Sequence, residues 1–294
     1  MTNLCPVCHQ SNSAVVEELT VQTLVAAYHT ELNVSVGPWF EDWPSTSIAR
    51  LSCLNCRGGH FEPSIAGDSS FYRLLEGLYP HTRWEFHEVS STIDADAIAD
   101  LGCGPGHFLA QLPTTARRVG TDLNPDLEPR LRELGVEPFI GSIVAMRNSF
   151  LREFDVVTAF HVLEHLDNPQ DLFDTARAIL QPQGRLIVSV PNADRLIIDR
   201  DVGPLDWPPH HLTRWTADSL RLAGETSGFS LVALRFEPTH ASYKRLRYLP
   251  GPVATPIAAI LASARGGRVN WHSPQRPGRW LTNGHSLLGV FHCD

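Results

Sequence analysis

The stretch ADLGCGPGHF, residues 99–108, follows an apolar run and opens a helical pattern. Its glycines, Gly102, Gly104 and Gly106, permit a tight turn and let a ligand approach the backbone closely. The free N–H groups at the start of a helix favour a negative group there, such as a carboxylate. The next strand pattern ends at Asp122, whose carboxylate can accept hydrogen bonds from both hydroxyls of a ribose. The stretch therefore predicts a ligand-binding turn between two neighbouring strands.

Strand and helix patterns alternate along the chain from residue 97. We predict strands near 97–101, 117–121, 136–140, 154–160, 184–190, 229–236 and 286–292. We predict helices near 105–112, 125–134, 168–180 and 216–227. FDVVTAF (154–160) and GRLIVSV (184–190) are near-continuous apolar runs, as expected of strands that are buried on both faces. This alternation predicts an α/β fold with a mostly parallel sheet covered on both sides.

Three regions differ in composition. We predict a zinc-binding N-terminal segment over residues 1–66 and an aromatic-rich helical connection over 67–94. The α/β domain then covers 95–294, with an insertion at 238–284 between its last two strands. The insertion contains six prolines and a short helical pattern near 253–264.

Length and charge limit the function classes. At 294 residues, with 43% hydrophobic and 19% charged residues, the chain can bury a sizeable core, which excludes a disordered protein. The net charge of −8 argues against nucleic acid as a partner. Seven cations and no acids lie in residues 240–293, where they could contact an anionic substrate or form a solvated surface. No membrane-spanning run and no secretory signal are visible, so we expect a cytoplasmic protein.

Four of the six cysteines form two matched pairs, Cys5-Pro-Val-Cys8 and Cys53-Leu-Asn-Cys56. Each turn can direct two thiolates at one ion, and two such turns complete the tetrahedron that structural zinc prefers. Free thiols are the alternative, and His9 and His60 are alternative ligands. Because the two pairs are far apart in sequence, we expect residues 14–50 to form an excursion, a segment that leaves the predicted metal site and returns to it.

The chain resembles the class I S-adenosylmethionine (SAM)-dependent methyltransferases. The matching stretches are ADLGCGPGHF (99–108), VGTDLNP (119–125), FDVVTAFHVLEHLDNP (154–169) and LQPQGRLIVSVPN (180–192). The resemblance implies a Rossmann-like seven-stranded sheet with an antiparallel last strand. It implies that SAM is bound by Asp100, Gly102, Cys103, Gly104, Gly106, Asp122, Leu123, Ser142, Ile143 and His161. Within that set, Asp100 and the glycines line the methionine end, Asp122 holds the ribose, and Leu123, Ser142 and Ile143 lie beside the adenine.

The cysteine pairs together with WPPHHLTRWT (207–216) resemble bacterial methyltransferases that carry a zinc-binding N-terminal segment. Some proteins of that kind act on sugars in natural-product or surface-glycan pathways. The resemblance therefore implies a small-molecule acceptor, glycosidic or anionic, and we favour methylation of a hydroxyl. Methylation at carbon or nitrogen is the alternative.

His161-Val-Leu-Glu164-His165 places three polar groups at i, i+3 and i+4, on one face of a helix. The pattern matches the inverted zinc-peptidase motif, but that motif lies within a long helix, and here it directly follows a strand. The same place in ubiquinone-pathway O-methyltransferases resembles a Glu-x-x-Glu-His metal site, and His161 at its first position is a poor ligand for Mg²⁺. Either histidine could instead act as a general base, because imidazole titrates near neutrality. For His165, packing or capping is the alternative.

His210 and His211 follow two prolines after the fifth strand, and the fixed backbone could direct an imidazole into the crevice at the strand ends. A loop histidine bonded to backbone is the alternative. Tyr72, Trp84 and Phe86 could cover the cofactor as a lid or pack in the core. We therefore treat His161, His165, His210 and His211 as catalytic candidates and Trp84 as a cofactor contact.

Methyl transfer by in-line displacement requires the protein to position the acceptor, exclude water and accept a proton from a hydroxyl. Three further functions stay open. A non-catalytic module could retain the cofactor fold and dock partners through zinc. An NAD-dependent oxidoreductase would need its third glycine at position 107, which is His107. A nucleic-acid methyltransferase could use the basic C-terminal region.

Overall fold

The computed structural model describes residues 4–195, 197–198, 203–238, 268–269 and 283–293. The described residues form two compact units. The N-terminal unit draws on Met1–Leu75, Pro191–Ser219 and Phe236–Leu287, and the sheet unit on Glu76–Val190, Leu220–Arg235 and Leu288–Asp294. The division into 1–66, 67–94 and 95–294 stays a prediction. The short helix near 253–264 and most of the 238–284 insertion lie outside the described residues.

The N-terminal unit is built on a four-stranded antiparallel sheet. The strands of this unit are β1 (Ser13–Thr20), β2 (Ser47–Cys53), β3 (Gly59–Glu62), β9 (Ile197–Ile198), β10 (Thr213–Arg214) and β12 (Arg268–Val269). The sheet order is β1-β2-β3-β10, and β9 pairs separately with β12. Two helices, α1 (Val21–Leu32) and α2 (Ser69–Leu75), belong to this unit. The excursion expected at 14–50 thus contains β1, α1 and most of β2.

The sheet unit contains the predicted seven-stranded sheet. Its strands are β4 (Ala97–Leu101), β5 (Arg117–Asp122), β6 (Glu137–Ile140), β7 (Phe154–Phe160), β8 (Leu180–Pro191), β11 (Phe229–Pro238) and β13 (Asn283–Cys293). Its helices are α3 (Trp84–Ser90), α4 (Glu128–Glu133), α5 (Ile143–Ser149), α6 (Gln170–Ile179) and α7 (Ala217–Thr226). The strand order is β11-β13-β8-β7-β4-β5-β6, parallel from β8 to β6, with an antiparallel last strand. The predicted Rossmann-like α/β fold is confirmed.

Aromatic side chains fill the core of the sheet unit below the glycine-rich loop. The rings of Phe108 and Phe160 lie 4.7 Å apart, and Phe86 contacts both at 5.7 and 5.2 Å. All three side chains are buried, so Phe86 is a core residue that fixes α3 to the sheet, rather than a mobile cover. Trp84 packs partly buried against the same cluster.

Two helix predictions were wrong. The helix expected at 105–112 is only a 3₁₀ turn at Leu109–Gln111, because Pro105 lacks an N–H donor and Gly106 adopts a left-handed φ of 78°. The helical face expected for His161, Glu164 and His165 does not form. His161 has φ 55°, outside helical geometry, and Leu163–His165 is a single 3₁₀ turn.

Candidate functional site

The glycine-rich loop follows β4 and turns through three left-handed residues: φ is 69° at Gly102, 52° at Gly104 and 78° at Gly106. A Cβ at Gly102 would lie 2.5 Å from Val162 Cγ2, and one at Gly106 would lie 2.9 Å from a Leu131 methyl group. At Gly104 a Cβ would meet nothing within 4 Å. Packing therefore requires two of the glycines, while the third faces open space in which a ligand can approach the backbone.

Asp122, the last residue of β5, is bonded to this loop. Its Oδ2 accepts a hydrogen bond from the Gly104 amide at 3.0 Å, and its Oδ1 accepts one from the Asn124 amide at 2.9 Å. Burial raises the pKa of Asp122, and the two amide donors oppose that rise. The arrangement brings a carboxylate beside the open face of the loop, as expected for a group that binds ribose hydroxyls.

The residues expected near an adenine lie beside Asp122. The Gly141 amide donates to the Asp122 carbonyl at 2.9 Å, and Ser142 caps α5 through its hydroxyl, which accepts from the Ala145 amide. Ile143 is the first residue of that helix. Leu123 is 56% exposed, which is unusual for leucine and leaves its side chain available to a flat apolar ligand.

Asp100 lies in β4 beneath the loop and is buried. Thr158 on the neighbouring strand β7 donates its hydroxyl to Asp100 Oδ1 at 2.7 Å. Burial, with a further contribution from the charge of Asp122, raises the pKa of Asp100 to about 7, although the Thr158 hydrogen bond opposes this. Two carboxylates that are costly to ionise thus lie at one site, and a cationic ligand would stabilise both.

His161 is the strained residue at the end of β7. Its Nε2 lies 2.9 Å from Glu85 Oε1, and its Nδ1 lies 3.2 Å from Glu164 Oε1. Both glutamates are 1% exposed. Burial and the charge of Arg83 favour the neutral ring, but the hydrogen bonds to Glu164 and Glu85 raise the pKa of His161 above its ordinary value. A left-handed non-glycine residue costs on the order of 1–3 kcal/mol, so the fold maintains this arrangement against strain.

Glu85 is a site residue that sequence reasoning missed. It lies in α3, outside every recognised motif, and a glutamate in a short helix gives no signal of its own. The one indication was its place between Trp84 and Phe86, two aromatic residues considered for a lid. Because both nitrogens of His161 contact carboxylates, this ring is suited to hold a positive charge and less suited to take a proton from a substrate as a general base.

The remaining histidine candidates are described unit by unit. His165 ends the 3₁₀ turn of the sheet unit, where its side chain is partly buried and its catalytic role stays a prediction. In the N-terminal unit, His210 and His211 are buried and their rings stack with centroids 4.4 Å apart. The Tyr72 hydroxyl lies 3.5 Å from the His210 carbonyl oxygen, and the Tyr72 ring belongs to the aromatic cluster of that unit.

Asp206 organises the ring of His211. His210 Nδ1 lies 2.8 Å from the Leu205 carbonyl oxygen, so a backbone group orients the His210 ring. His211 Nδ1 instead lies 3.4 Å from Asp206 Oδ1. Burial alone would raise the pKa of Asp206, but the charges of Arg214 and Arg195 hold it well below its usual range, so Asp206 stays ionised.

The cysteine pairs form two turns with the same hydrogen-bond pattern. The amide of Cys5 donates to Gln10 and the amide of Cys53 to Gly58, each at 2.9 Å. The residue after each second cysteine is left-handed, with φ 56° at His9 and 65° at Arg57. Their amides donate back to the carbonyls of the first cysteines, again at 2.9 Å. Two segments far apart in sequence therefore fold into the same CxxC turn.

The four sulfurs converge. Cys5 Sγ lies 3.6 Å from Cys56 Sγ, Cys8 Sγ lies 3.5 Å from Cys53 Sγ, and all four lie within 4.8 Å of one another. A tetrahedral zinc with bonds of about 2.3 Å requires sulfur separations of about 3.8 Å, so the set fits this ion. None of the four cysteines is in a disulfide. His60 is 4% exposed and lies beside Cys5, but the four converging groups are the cysteines alone, without His9 or His60.

Comparisons with known proteins identify a methyltransferase domain in this chain. A family model described as "Methyltransferase domain" matches residues 89–234. A Small RNA 2'-O-methyltransferase from Mus musculus is 29% identical over 167 residues, which are 49% of this chain and 41% of that protein. A Ubiquinone biosynthesis O-methyltransferase from Methylococcus capsulatus is 29% identical over 192 residues, which are 57% of this chain and 81% of that protein.

A similar fold has been solved in a SAM-dependent methyltransferase from Archaeoglobus fulgidus. Its TM-score is 0.55 at 17% sequence identity, and the match covers 76% of this chain and all of that one. At this identity the likeness establishes the fold. In the part of the chain that the structure describes, no helix is long and apolar enough to cross a bilayer.

We predict that Glu85→Gln lowers the pKa of His161, because it removes one of the two carboxylates that favour the charged ring. A raised pKa stabilises the folded state below the unfolded pKa, and this stabilisation is lost as pH rises through the folded pKa. NMR titration of the His161 ring measures the pKa, and urea unfolding at several pH values measures the stability.

Glu88→Gln is the matched control for this prediction. Glu88 lies on the same helix, α3, and pairs with Arg235 instead of His161. An equal fall in the pKa of His161 in both variants would show that general charge, and not the Glu85 contact, controls this ring.

Proposed function

Because the chain belongs to the class I SAM-dependent methyltransferases, we propose that it methylates a hydroxyl of a small-molecule acceptor, such as a sugar or a natural product. The observation that carries the proposal is the loop of Gly102, Gly104 and Gly106, open at Gly104 and bonded to Asp122. The net charge of −8 favours a small acceptor over nucleic acid.

The cofactor is assigned to the sheet unit. Asp122 binds the ribose hydroxyls, Leu123, Ser142 and Ile143 contact the adenine, and Trp84 contributes a flanking ring. The loop glycines, Cys103 and Asp100 line the methionine end. SAM supplies an electrophilic methyl group, so transfer to oxygen leaves a neutral thioether and requires the acceptor hydroxyl to lose its proton.

His211 is assigned as the general base that takes this proton. An ionised Asp206 near Nδ1 favours the tautomer in which Nδ1 carries hydrogen, which leaves the lone pair on Nε2. His161 is assigned a positioning role, because both of its nitrogens contact buried carboxylates. His165 and His210 remain catalytic candidates, each within its own unit.

The N-terminal cysteines are assigned to one structural zinc. Four thiolates complete the tetrahedron and leave no open position for a substrate, so the ion would serve folding rather than catalysis. Zinc binding would contribute directly to the stability of the N-terminal unit, since such sites are rarely formed in the unfolded chain.

Methylation of RNA is the second candidate, favoured by the name of the mouse relative. An RNA acceptor would require contacts to phosphates and hence a steep loss of binding with added salt. Methylation at carbon or nitrogen would yield a different product from the same donor. Binding of SAM without turnover would yield no methylated product, so a screen for products separates all four functions.

We expect micromolar-range binding of SAM and S-adenosylhomocysteine, on the order of −8 kcal/mol, by isothermal titration calorimetry. Asp122→Ala should weaken binding by about 1–3 kcal/mol through loss of charged hydrogen bonds. Glu133→Ala, which removes an exposed carboxylate on α4, is the control and should bind normally. Absence of heat with either ligand on folded protein would overturn the assignment of the cofactor.

We expect His211→Gln to lower the rate of methyl transfer at least about 10²-fold while the cofactor affinity stays within twofold. Glycosides, nucleotide sugars, phenolic metabolites and RNA oligonucleotides are screened by mass shift, and NMR of the product identifies the methylated atom. His29→Gln, at an exposed histidine of α1, is the control. A methylated carbon or nitrogen would contradict the proposal, as would full activity in His211→Gln.

We expect one zinc per chain in purified protein by inductively coupled plasma mass spectrometry. Cys53→Ser should lose most of this zinc, because three thiolates and a hydroxyl bind it far more weakly. Cys293→Ser removes a buried cysteine of β13 and should keep the metal. Equal zinc content in the two variants would contradict the assigned ligand set.

A further inference from the structure

We propose that the metal-binding turns position the loop that carries the proposed general base. We name this loop, residues 204–212, the His211 loop. The inference rests on the proposed function, because it gives the zinc site a task in acceptor chemistry. Every contact that carries it lies within the N-terminal unit.

The first connection is a strand pairing. β3 begins three residues after Cys56, and β10 begins two residues after His211. The two strands pair antiparallel, with His60 opposite Thr213 and Gly59 opposite Arg214. The chain that leaves the second metal-binding turn is therefore bonded directly to the chain that leaves the His211 loop.

His60 joins this pairing to the metal site. Its backbone lies opposite Thr213, while its side chain is buried and lies close enough to the Cys5 thiol to influence it electrostatically. Cys5 belongs to the first metal-binding turn, 51 residues away from Cys56 in sequence. One residue thus contacts both the sulfur cluster and the strand that follows His211.

The second connection lies beyond β10. Arg57, the left-handed residue of the second turn, donates to Asp218 Oδ2 at 2.9 Å. A Cβ at the neighbouring Gly58 would lie 3.2 Å from the Cβ of Ser219, the last residue of this part of the N-terminal unit, so the turn and Ser219 are in close contact. Ser219 and Thr216 cap the start of α7 by reciprocal hydrogen bonds to their amides. The end of the segment after His211 is fixed against the metal-binding turn.

The third connection holds the His211 loop from its own side. Trp207 packs on Phe61 of β3, with ring centroids 5.2 Å apart. The Gly67 amide donates to the Pro209 carbonyl at 2.9 Å. Asp206, which orients His211, is paired with Arg214 of β10 at 3.1 Å. Release of β3 would therefore free the loop at several points together.

Zinc is the element that makes this arrangement rigid. β10 has two residues and pairs with β3 at only two positions, so this pairing is weak by itself. A tetrahedral ion would fix both turns, and with them the start of β3 and the position of His60. Without the ion we expect the sulfurs to separate and the pairing of His60 with Thr213 to open frequently.

Hydrogen–deuterium exchange of the full chain tests this proposal. Cys8→Ser is the informative variant, because Cys8 lies in the first turn and is not adjacent in sequence to β3 or β10. We expect peptides covering 204–216 to exchange at least about tenfold faster in this variant, with cofactor affinity within twofold of wild type. With an acceptor, kcat should fall with unchanged SAM affinity. Cys293→Ser with full zinc is the control.

Arg57→Met provides a second test that keeps all four cysteines. If Arg57→Met retains zinc, faster exchange at 204–216 supports the proposal. This variant decides the matter where circular dichroism shows that Cys8→Ser does not fold, and unchanged exchange in Arg57→Met then overturns the proposal. Unchanged exchange in folded, zinc-free Cys8→Ser overturns it outright. If the purified wild-type protein contains no zinc, both this inference and the zinc assignment are overturned. Metal-dependent exchange in a protein that methylates nothing supports the positioning and overturns the proposed function alone.

Discussion

The hydrogen bond from the Gly104 amide to Asp122 Oδ2 is the interaction on which the candidate active site depends. It joins the turn after β4 to the end of β5, two parallel neighbours in which Leu101 lies opposite Thr121. The bond can form only because the loop turns through left-handed residues, which glycine adopts without steric cost. Val162, next to His161, fills the space left by the missing side chain of Gly102. The order of the strands, the left-handed glycines and the position of Val162 beside the strained His161 are therefore all linked to the same loop.

The sequence predicted well what depends on local pattern. Buried strands such as β7 are runs of apolar residues, and the acid at position 122 follows a strand at a recognisable spacing. The convergence of the four cysteines was predictable for the same reason, since each turn needs only a CxxC stretch. These features are encoded within about ten residues each, and they were confirmed where the structure tests them.

What the sequence did not predict depends on contacts between distant segments. Glu85 contacts His161 although 76 positions separate them in sequence, and the residues around either one give no indication of this contact. The helix expected for His161, Glu164 and His165 failed because the strand before it ends in a left-handed residue, which periodicity cannot reveal. Of the strands of the N-terminal unit that were not predicted, β3 and β10 are too short to show an alternation.

The buried carboxylates give a physical reason for the choice of cofactor. Asp100, with its pKa near 7, binds a proton in the folded protein at pH values where the unfolded chain has released it. Stability therefore falls as pH rises from the unfolded pKa of about 4 to the folded one, and ionised Asp100 remains destabilised above it. A cation at the open face of Gly104 offsets this cost, as the sulfonium and amino groups of SAM would. After methyl transfer the sulfur is neutral, so one positive charge is lost from the site. In the proposed function, the carboxylates that favour the donor would therefore hold the product less tightly and would assist its release.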